Sequence, residues 1–524
     1  MSDRTVLEFR GLSFRYPQAE AWALEKLNFS LREGEMVAVI GDNGAGKSTL
    51  CKCVNGIIPH SVGGFLKGRV ITAKLDTRSH PVSVLAREAG LVLDDPDAQL
   101  FATTVLNEAA FGPENLGMEA ELIRAIAAEV LAAVGLSGLE HRPPSTLSGG
   151  QKQRLAVAAA LAMRAGILVL DEPTSALDGE GSEALMAVLG ELKSRRGLSI
   201  LLATHDLDLV RRFADRVLVL ERGRLRALDT PERVLASEPR RAPSFPYREA
   251  AGGFVVASTS CADGPVLELT NACSVYPGGI TALKDVSFRA GAGEFIGIVG
   301  RNGSGKTTLL KCLAGLLAPF PGTVRIDGRP LAELAPPELA SRVAYVQQNP
   351  DLQLFSDSVR KEVAFGPVNL GHGREETARR VSRALDMVAL MDKADEHPLG
   401  LARSDRALTA LASAIAMESA VLLLDEPTCG QDHAGGIRIM EIIRSLRNEG
   451  RTVVVVGHDL ELIARYTDRL VVMDGGSIVA DGATRDLLAR KDLLLSAGLR
   501  PPRENDGREA EENVPPASKE PLCV

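Results

Sequence analysis

Short, uninterrupted apolar runs separated by glycine-rich or charged segments dominate the hydrophobic pattern of the chain. Four of the clearest are Met36–Ile40, Ile167–Leu170, Phe295–Val299 and Val421–Leu424. Runs of this length are typical of strands that are buried on both faces, as in parallel sheets covered by helices. The pattern therefore predicts an α/β fold, and the four runs form two pairs in the same order.

The chain contains one unit twice. GDNGAGKSTL (Gly41–Leu50) recurs as GRNGSGKTTL (Gly300–Leu309), and LVLDEPTSALD (Leu168–Asp178) recurs as LLLDEPTCGQD (Leu422–Asp432). The nearly constant offset between the copies indicates duplication of a whole domain. The segments between and after the copies are rich in Pro and charged residues, which is typical of linkers and disordered tails. The predicted divisions are domain 1 at 5–238, a linker at 239–264, domain 2 at 265–499 and a disordered tail at 500–524.

Composition and charge narrow the classes of protein. The 524 residues carry a formal net charge of −8, so the chain lacks the basic excess that nucleic-acid binding requires. No apolar stretch reaches the roughly 18 residues of a membrane-spanning helix, and MSDRTVLEFRGLSF has charges where a signal peptide has its apolar core. Seven scattered cysteines fit a reducing compartment. We therefore expect a cytoplasmic protein that reaches a membrane only through a partner.

Each copy carries a phosphate-binding loop. A predicted strand runs into G-x-x-x-x-G-K-[ST] and then into a helix-like segment, so backbone N–H groups can surround phosphate oxygens. We expect Lys47 and Lys306 to contact the β and γ phosphates of a nucleotide, and Ser48 and Thr307 to bind Mg²⁺. The loop positions predicted to bind nucleotide are Gly41, Asp42, Asn43, Gly44, Ala45, Gly46, Lys47 and Ser48 in the first copy and Gly300, Arg301, Asn302, Gly303, Ser304, Gly305, Lys306 and Thr307 in the second.

Acidic residues follow the second predicted strand of each pair. Asp171 and Asp425 are predicted to hold Mg²⁺, whereas the next residue in each copy is predicted to activate the attacking water. The alternative is a pair of surface carboxylates after a core strand. A histidine follows a further apolar run in each copy and is predicted to contact the γ-phosphate, although a lone histidine there could be structural. The candidate catalytic residues of this group are Glu172, Glu426, His205 and His458.

One pentapeptide separates this chain from other phosphate-loop proteins. LSGGQ (Leu147–Gln151), here called the first signature segment, precedes the acidic strand, and with it the chain resembles a pair of ABC ATPases. The resemblance implies two tandem phosphate-loop NTPase domains, each with a mostly parallel sheet core, an antiparallel β subdomain and a helical subdomain. It further implies head-to-tail pairing, in which the signature residues Ser148, Gly149, Gly150 and Gln151 reach ATP held by the other domain.

The same resemblance assigns an adenine-stacking ring to each copy. Tyr16 and Tyr276 occupy the corresponding positions, although a tyrosine there could also belong to the core. ATP and Mg²⁺ are the implied cofactors.

Two further repeated blocks narrow the resemblance. DAQLF and FGPENLG (Asp97–Phe101, Phe111–Gly117) recur as DLQLF and FGPVNLG (Asp351–Phe355, Phe365–Gly371). They resemble the energy-coupling factor branch of ABC importers, which move vitamins and transition-metal ions. The implied partners are a transmembrane coupling protein and a substrate-binding membrane protein, which would hold this chain at the cytoplasmic face of the membrane. The alternatives are the fused ATPase of a sugar importer and a tandem ABC ATPase that acts on ribosomes or DNA.

The copies disagree at two places. LARSD (Leu401–Asp405), the second signature segment, replaces LSGGQ and would bring the carboxylate of Asp405 toward a phosphate. Gln348 aligns with Asp94, which accepts hydrogen bonds but cannot donate them when ionised. Head-to-tail pairing places both departures in the site built on Lys47, so we predict that the Lys306 site, with Gln348 as a further catalytic residue, hydrolyses most of the ATP. Alternatives are a shift of the Asp94 loop by one residue and an arginine-finger role for Arg403.

Overall fold

The computed structural model describes residues 4–17, 19–237, 264–276, 279–499 and 501. The predicted linker at 239–264 and tail at 500–524 lie outside the described residues, apart from Gly264 and Pro501. The exact domain boundaries therefore stay predictions.

Two sheets and nine α-helices build the first copy in the described ranges. Its strands are β1 (Thr5–Arg15), β2 (Leu24–Arg32), β3 (Met36–Ile40), β4 (Phe65–Thr72), β5 (Leu75–Asp76), β6 (Ala89–Val92), β7 (Ile167–Asp171), β8 (Ser199–Ala203), β9 (Arg216–Glu221) and β10 (Arg224–Asp229). Its helices are α1 (Lys47–Val54), α2 (Ile57–His60), α3 (Val82–Leu85), α4 (Val105–Asn115), α5 (Ala120–Ala133), α6 (Gly149–Ala162), α7 (Gly179–Arg196), α8 (Leu207–Phe213) and α9 (Pro231–Ser237).

The larger sheet of the first copy brings its chemical motifs to one edge. Its order is β10-β9-β3-β8-β7-β6, and neighbouring strands are parallel except β9 and β10. Strands β3, β7 and β8 are buried along their whole length, as their continuous apolar runs predict. Because β3, β8 and β7 are parallel neighbours, the residues that follow them gather at the carboxyl edge, where α/β sheets bind ligands.

A four-stranded antiparallel sheet, β2-β1-β4-β5, covers one face of the larger sheet. Phe9, Leu12 and Phe14 of β1 share an apolar core with Leu50 and Val54 of α1. A second core joins the other face of the larger sheet to helices α4, α5 and α6. These three layers confirm the predicted α/β fold with its antiparallel and helical parts.

The second copy repeats these elements in the described ranges. Its strands are β11 (Leu267–Tyr276), β12 (Ile280–Ala290), β13 (Phe295–Gly300), β14 (Thr323–Ile326), β15 (Arg329–Pro330), β16 (Val343–Val346), β17 (Val421–Asp425), β18 (Thr452–Val456), β19 (Arg469–Asp474) and β20 (Ser477–Ala483). Its helices are α10 (Lys306–Leu313), α11 (Pro336–Arg342), α12 (Val359–Asn369), α13 (Arg374–Val388), α14 (Arg403–Met417), α15 (His433–Asn448), α16 (Leu460–Tyr466), α17 (Thr484–Leu488) and α18 (Lys491–Ser496).

The sheets of the second copy have the same topology. Their orders are β16-β17-β18-β13-β19-β20 and β12-β11-β14-β15. The larger sheet is again parallel except for one antiparallel edge pair, β19 and β20. In the described part of the chain, every helix is too short or too polar to cross a membrane.

Candidate active site

Each phosphate loop links a buried strand to a helix. Strand β3 ends at Ile40 and α1 begins at Lys47, and the equivalent loop joins β13 to α10. Gly46 and Gly305 precede the helices with φ of 102° and 101°, and a Cβ at either would collide with the carbonyl oxygen of Ala23 or Ala282. Only glycine fits this left-handed turn. The other predicted loop residues, Asp42, Gly44, Ala45, Gly303 and Ser304, lie in the same two loops.

The loop lysines turn back into their own loops. Lys47 Nζ donates to the carbonyl oxygens of Gly41 and Asp42 at 2.8 and 3.3 Å. Lys306 repeats the arrangement, with Nζ 2.8 Å from both equivalent carbonyl oxygens. Both side chains are buried, and burial lowers the pKa of Lys306. Each ammonium group is therefore positioned to meet phosphate oxygens at the helix N-terminus.

The aspartate that ends each acidic strand fits a Mg²⁺ ligand. Thr307 Oγ1 donates to Asp425 Oδ1 at 3.1 Å, and the hydroxyl of Tyr345 donates to Oδ2 at 3.2 Å. Burial raises the pKa of Asp425 to about 6. A buried carboxylate beside a hydroxyl is a donor set that Mg²⁺ takes together with phosphate oxygens and water.

The equivalent aspartate of the first copy, Asp171, accepts fewer hydrogen bonds. Both carboxylate oxygens of Asp171 are buried without a hydrogen bond of ordinary geometry from a described residue, although Ser48 lies beside them. The residue of β6 equivalent to Tyr345 is Leu91, which has no hydroxyl. Burial raises the pKa of Asp171 to about 7. Such a buried, unsatisfied carboxylate is costly unless a cation faces it, so Asp171 and Ser48 also fit Mg²⁺.

The predicted catalytic glutamates share an unusual backbone. Glu172 and Glu426 have φ of 50° and 48°, a left-handed conformation that residues with a side chain rarely adopt. The backbone N–H of each donates to the last residue of the neighbouring strand, Ala203 or Val456, at 2.9 Å. The turn aims each carboxylate at the phosphate loop, and Glu172 Oε1 lies 3.9 Å from Lys47 Nζ.

A histidine contacts each glutamate. His205 Nδ1 lies 2.9 Å from Glu172 Oε2, and His458 Nδ1 lies 3.4 Å from Glu426 Oε2. Although burial opposes it, the neighbouring carboxylate raises the pKa of each histidine. The sheet thus brings these predicted residues together in both copies.

The aligned residues Gln348 and Asp94 have different partners. Gln348 Nε2 donates to Glu426 Oε2 at 3.0 Å, which completes a set of three predicted catalytic side chains. Asp94 instead faces the other domain, where Arg403 Nη1 donates to its carbonyl oxygen at 3.2 Å and lies 3.9 Å from its Oδ2.

The two signature segments begin equivalent helices differently. Ser148 Oγ accepts from the N–H of Gln151 at 3.3 Å, and Gln151 Oε1 accepts from the N–H of Ser148 at 3.0 Å, which is a capping box. Ala402 provides no side-chain cap for α14. Asp405 Oδ2 is bound by Lys393 Nζ at 2.6 Å, which corrects the expectation that this carboxylate faces a phosphate.

The domains meet through their phosphate loops. Asn302 donates from its N–H to Asp178 Oδ2 at 3.2 Å and from Nδ2 to the carbonyl oxygen of Ala176 at 3.0 Å. A Cβ on Gly150 would lie 3.3 Å from Asn302 Nδ2. Gly149 begins α6 beside it. The first signature segment therefore lies against the second phosphate loop.

The other half of the interface has the reciprocal contacts. Asn43 donates from its N–H to Asp432 Oδ2 at 2.7 Å and from Nδ2 to the carbonyl oxygen of Gly430 at 3.2 Å. The Lys47 site thus combines residues of both domains, as does the Lys306 site. In the Lys306 site, Arg301 Nη1 also lies 3.4 Å from Glu180 Oε2 of the first copy.

The rings predicted to stack on adenine lie beside these loops. The hydroxyl of Tyr16 shares a hydrogen bond with Thr49 Oγ1 at 3.0 Å, and that of Tyr276 shares one with Thr308 Oγ1 at 3.3 Å. Each tyrosine therefore packs on the first turn of the helix after its loop. Adenine stacking itself stays a prediction.

An exposed aromatic pair stands on the helical part of each copy. The rings of Phe101 and Phe111 meet edge to face at 4.6 Å, and those of Phe355 and Phe365 at 4.7 Å. Their exposed fractions run from 44% to 65%. A Cβ on Gly112 would collide with Met163 Sδ, so the glycine of FGP-x-NLG lets α4, the helix that carries Phe111, pack closely on α6.

Sequence reasoning missed several of these features. The Tyr345 hydroxyl, the positive φ of the glutamates and the contact of Arg403 with Asp94 have no local sequence pattern. The acidic residues Asp178 and Asp432, in contrast, end the repeated blocks quoted above and could have been singled out. Among the described residues, no cluster of three metal-binding side chains occurs, so each predicted Mg²⁺ site relies on one carboxylate and one hydroxyl.

The chain is similar to known proteins over most of its length. A family model described as ABC transporter matches residues 24–175 and 283–429. A Methanosarcina acetivorans protein named as an ABC transporter ATP-binding protein is 36% identical, covering 94% of this chain and 88% of its own length. A similarly named protein of Caldanaerobacter subterraneus subsp. tengcongensis is 35% identical, covering 96% of this chain and 95% of its own. The solved structure of CbiO1 from Clostridium perfringens, described as part of the ABC transporter complex CbiONQ, is 33% identical with a TM-score of 0.41, covering 45% of this chain and 92% of its own.

Proposed function

Because the chain belongs to the ABC transporter family and is an ATPase, we propose that it is the energy-coupling subunit of a membrane importer of the energy-coupling factor type. Its partners would be a transmembrane coupling protein and a substrate-binding membrane protein. Its place would be the cytoplasmic face of the membrane, and its cargo a vitamin or a transition-metal ion. The repeated FGP-x-NLG blocks and the surface they form support this assignment.

The twin aromatic pairs carry the proposal. Phe101 and Phe355 are 65% and 63% exposed, although burying such a ring stabilises a protein by about 1.5–3 kcal/mol. Glu108 Oε2 accepts from the backbone N–H groups of Phe101 and Ala102, so a buried carboxylate holds the loop that displays the ring. Glu362 does the same in the second copy. A rigidly displayed apolar pair is typical of a docking site for an apolar helix face.

The duplicated geometry also fits a symmetric partner contact. Asn115 Nδ2 and Asn369 Nδ2 each donate, at 2.8 Å, to the carbonyl oxygen of the phenylalanine four residues earlier. The asparagine of each FGP-x-NLG block therefore fixes the same helix that carries the exposed ring. Two such surfaces on one chain would receive two helices of the membrane subunits, one for each ATPase domain.

Hydrolysis would take place mainly in the Lys306 site. Lys306 would bind the phosphate chain, Thr307 and Asp425 would hold Mg²⁺, and Glu426 would accept a proton from the attacking water. Bound Mg²⁺ would neutralise charge on the phosphate oxygens. Gln348 and His458 hold the Glu426 carboxylate, and Ser148 with its glycine neighbours would reach the γ-phosphate from the first copy. The Lys47 site would bind ATP without most of the hydrolysis.

The test is co-purification with membrane proteins from the native cell. A variant with Phe101→Ala, Phe111→Ala, Phe355→Ala and Phe365→Ala should lose its membrane partners, because both docking surfaces lose their rings. Its ATP binding should remain, because the rings lie outside the phosphate loops. Phe320→Ala is the matched control, since Phe320 is 89% exposed but lies outside both surfaces. The proposal would be contradicted if the wild type, the four-fold variant and Phe320→Ala recovered membrane partners equally, or if ribosomes were recovered instead.

A further inference from the structure

Three differences between the copies meet at one point of the domain interface. Arg403 stands where the first copy has Gly149, and Gly430 stands where it has Ala176. In the first copy, a Cβ on Gly149 would lie 3.9 Å from Ala176 Cβ. In the second copy, the Arg403 side chain passes over Gly430, whose added Cβ would contact Nε at 3.4 Å. The second copy thus pairs a large residue with a glycine whose φ is +72°, where the first copy pairs a glycine with an alanine.

The third difference lies in the other domain. Asp94 replaces the equivalent of Gln348, and the guanidinium of Arg403 donates to its carbonyl oxygen at 3.2 Å and lies 3.9 Å from its carboxylate. Gln348 instead donates to Glu426 of its own domain. The Asp94 loop is thus bound by the opposite domain, whereas the Gln348 loop is bound by its own catalytic glutamate.

Neighbouring contacts fix the arginine on its own side. Gln431 Nε2 donates to the carbonyl oxygen of Ser404 at 3.3 Å, which joins the second signature segment to the loop after β17. That loop also accepts from Asn43 of the first phosphate loop through Gly430. Arg403 therefore extends from a segment that is bound to its own domain.

We infer that Arg403 is a positioning residue that ties the Asp94 loop to the second signature segment. It thereby keeps the Lys47 half, meaning the part of the domain interface around the Lys47 site, assembled without nucleotide. Gly149, the counterpart of Arg403 in the Lys306 half, has no side chain that could reach Gln348. That half keeps its own contacts, from Asn302 to Asp178 and Ala176, but its Gln348 loop is bound within its own domain. We therefore expect that loop to respond to ATP between the domains. The inference deepens the proposed function, because the Lys47 half becomes a fixed side about which the hydrolytic half opens and closes.

Hydrogen–deuterium exchange on the full chain tests this contact. In the wild type, amides of residues 92–97 should exchange equally fast with and without Mg²⁺ and a non-hydrolysable ATP analogue. Amides of residues 346–351 should exchange more slowly once the analogue is added. Arg403→Met should speed exchange at 92–97 about ten-fold without nucleotide, as expected for a lost hydrogen bond to a charged donor, and should make it respond to the analogue.

Three further variants sharpen the test. Arg403→Lys should retain part of the protection, since its ammonium group can still donate to the carbonyl oxygen of Asp94 but lacks the reach of a guanidinium. Asp94→Asn should cost only about two-fold, because the backbone carbonyl remains and a partly exposed ion pair is weak. Arg406→Met is the matched control: it lies on the same helix but pairs with Asp351 of its own domain, so it should leave residues 92–97 unchanged.

Two results would overturn the inference. One is unchanged exchange at 92–97 in Arg403→Met, and the other is an equal effect of Arg406→Met. The assignment of hydrolysis to the Lys306 site is tested separately by ATPase rates. A failure there would leave the exchange result standing, so the two failures can be distinguished.

Discussion

Single residues distinguish the surroundings of the two predicted catalytic glutamates. Both glutamates have a positive φ, which costs about 1–3 kcal/mol and persists only where surrounding structure enforces it. Burial opposes ionisation of Glu426, but the hydrogen bonds and charges of His458, Lys306 and Gln348 lower its pKa. Glu426 is therefore ionised and accepts a hydrogen bond from Gln348. In the first copy, the aligned Asp94 cannot donate in this way when it is ionised. The two sites have the same backbone but unequal chemistry.

ATPase rates of two single variants measure this inequality. Glu426→Gln should lower the rate about 100-fold or more, because it removes the proposed proton acceptor of the Lys306 site. Glu172→Gln should lower it about two-fold, since we propose that the Lys47 site contributes little hydrolysis. Binding of a fluorescent ATP analogue should be retained in both variants and serves as the control. Equal losses of rate would show that the sites hydrolyse equally.

At the scale of elements, the equivalent helices α6 and α14 differ in how their N-termini are capped. Helix α6 begins with a capping box at Ser148, whereas α14 begins at the equivalent Ala402 without a side-chain cap. The backbone at both positions is nearly identical, with φ and ψ of −66° and 160° at Ser148 and −60° and 152° at Ala402. The difference is therefore in the side chain alone, and it can be exchanged.

Exchanging the cap separates stability from activity. Ser148→Ala should lower the free energy of unfolding by about 1 kcal/mol and also lower the ATPase rate, because Ser148 belongs to the Lys306 site. Ala402→Ser should raise the free energy of unfolding by about 0.5–1 kcal/mol without raising the rate, since Arg403 remains beside it. Thermal or urea unfolding and ATPase assays check both. A rise in rate with Ala402→Ser would show that the missing cap limits the Lys47 site.

The elements were predictable from sequence to the extent that their patterns are local. Continuous apolar runs predicted β3 and β17, and the glycine–lysine motif predicted both phosphate loops with the helices that follow them. The direction of Asp405 was not predictable, because its partner Lys393 is brought near only by packing of the helical layer. The contact of Arg403 with Asp94 joins residues 309 positions apart, so no spacing or periodicity could reveal it.

At the scale of the whole molecule, duplication places two unlike interfaces in one chain. The Lys306 half meets through Asn302 and the first signature segment, and the Lys47 half meets through Asn43 and Arg403. Because the two domains belong to one chain, closing the interface between them is an intramolecular step, in which each domain meets the other at a high effective concentration. The ATPase rate per molecule should accordingly depend on the quality of each half and not on protein concentration.

Matched variants of the two loop asparagines test this division. Asn302→Ala removes the side-chain bond to Ala176 and should lower the ATPase rate about ten-fold, because we propose that hydrolysis requires closure of the Lys306 half. Asn43→Ala removes the equivalent bond to Gly430 and should lower it only about two-fold, since Arg403 still holds that half together. Rates should be measured over a hundred-fold range of protein concentration, where a constant specific activity is expected from pairing within one chain. Equal effects of the two substitutions would show that the halves close symmetrically, and a specific activity that rises with concentration would show that the working interface forms between chains.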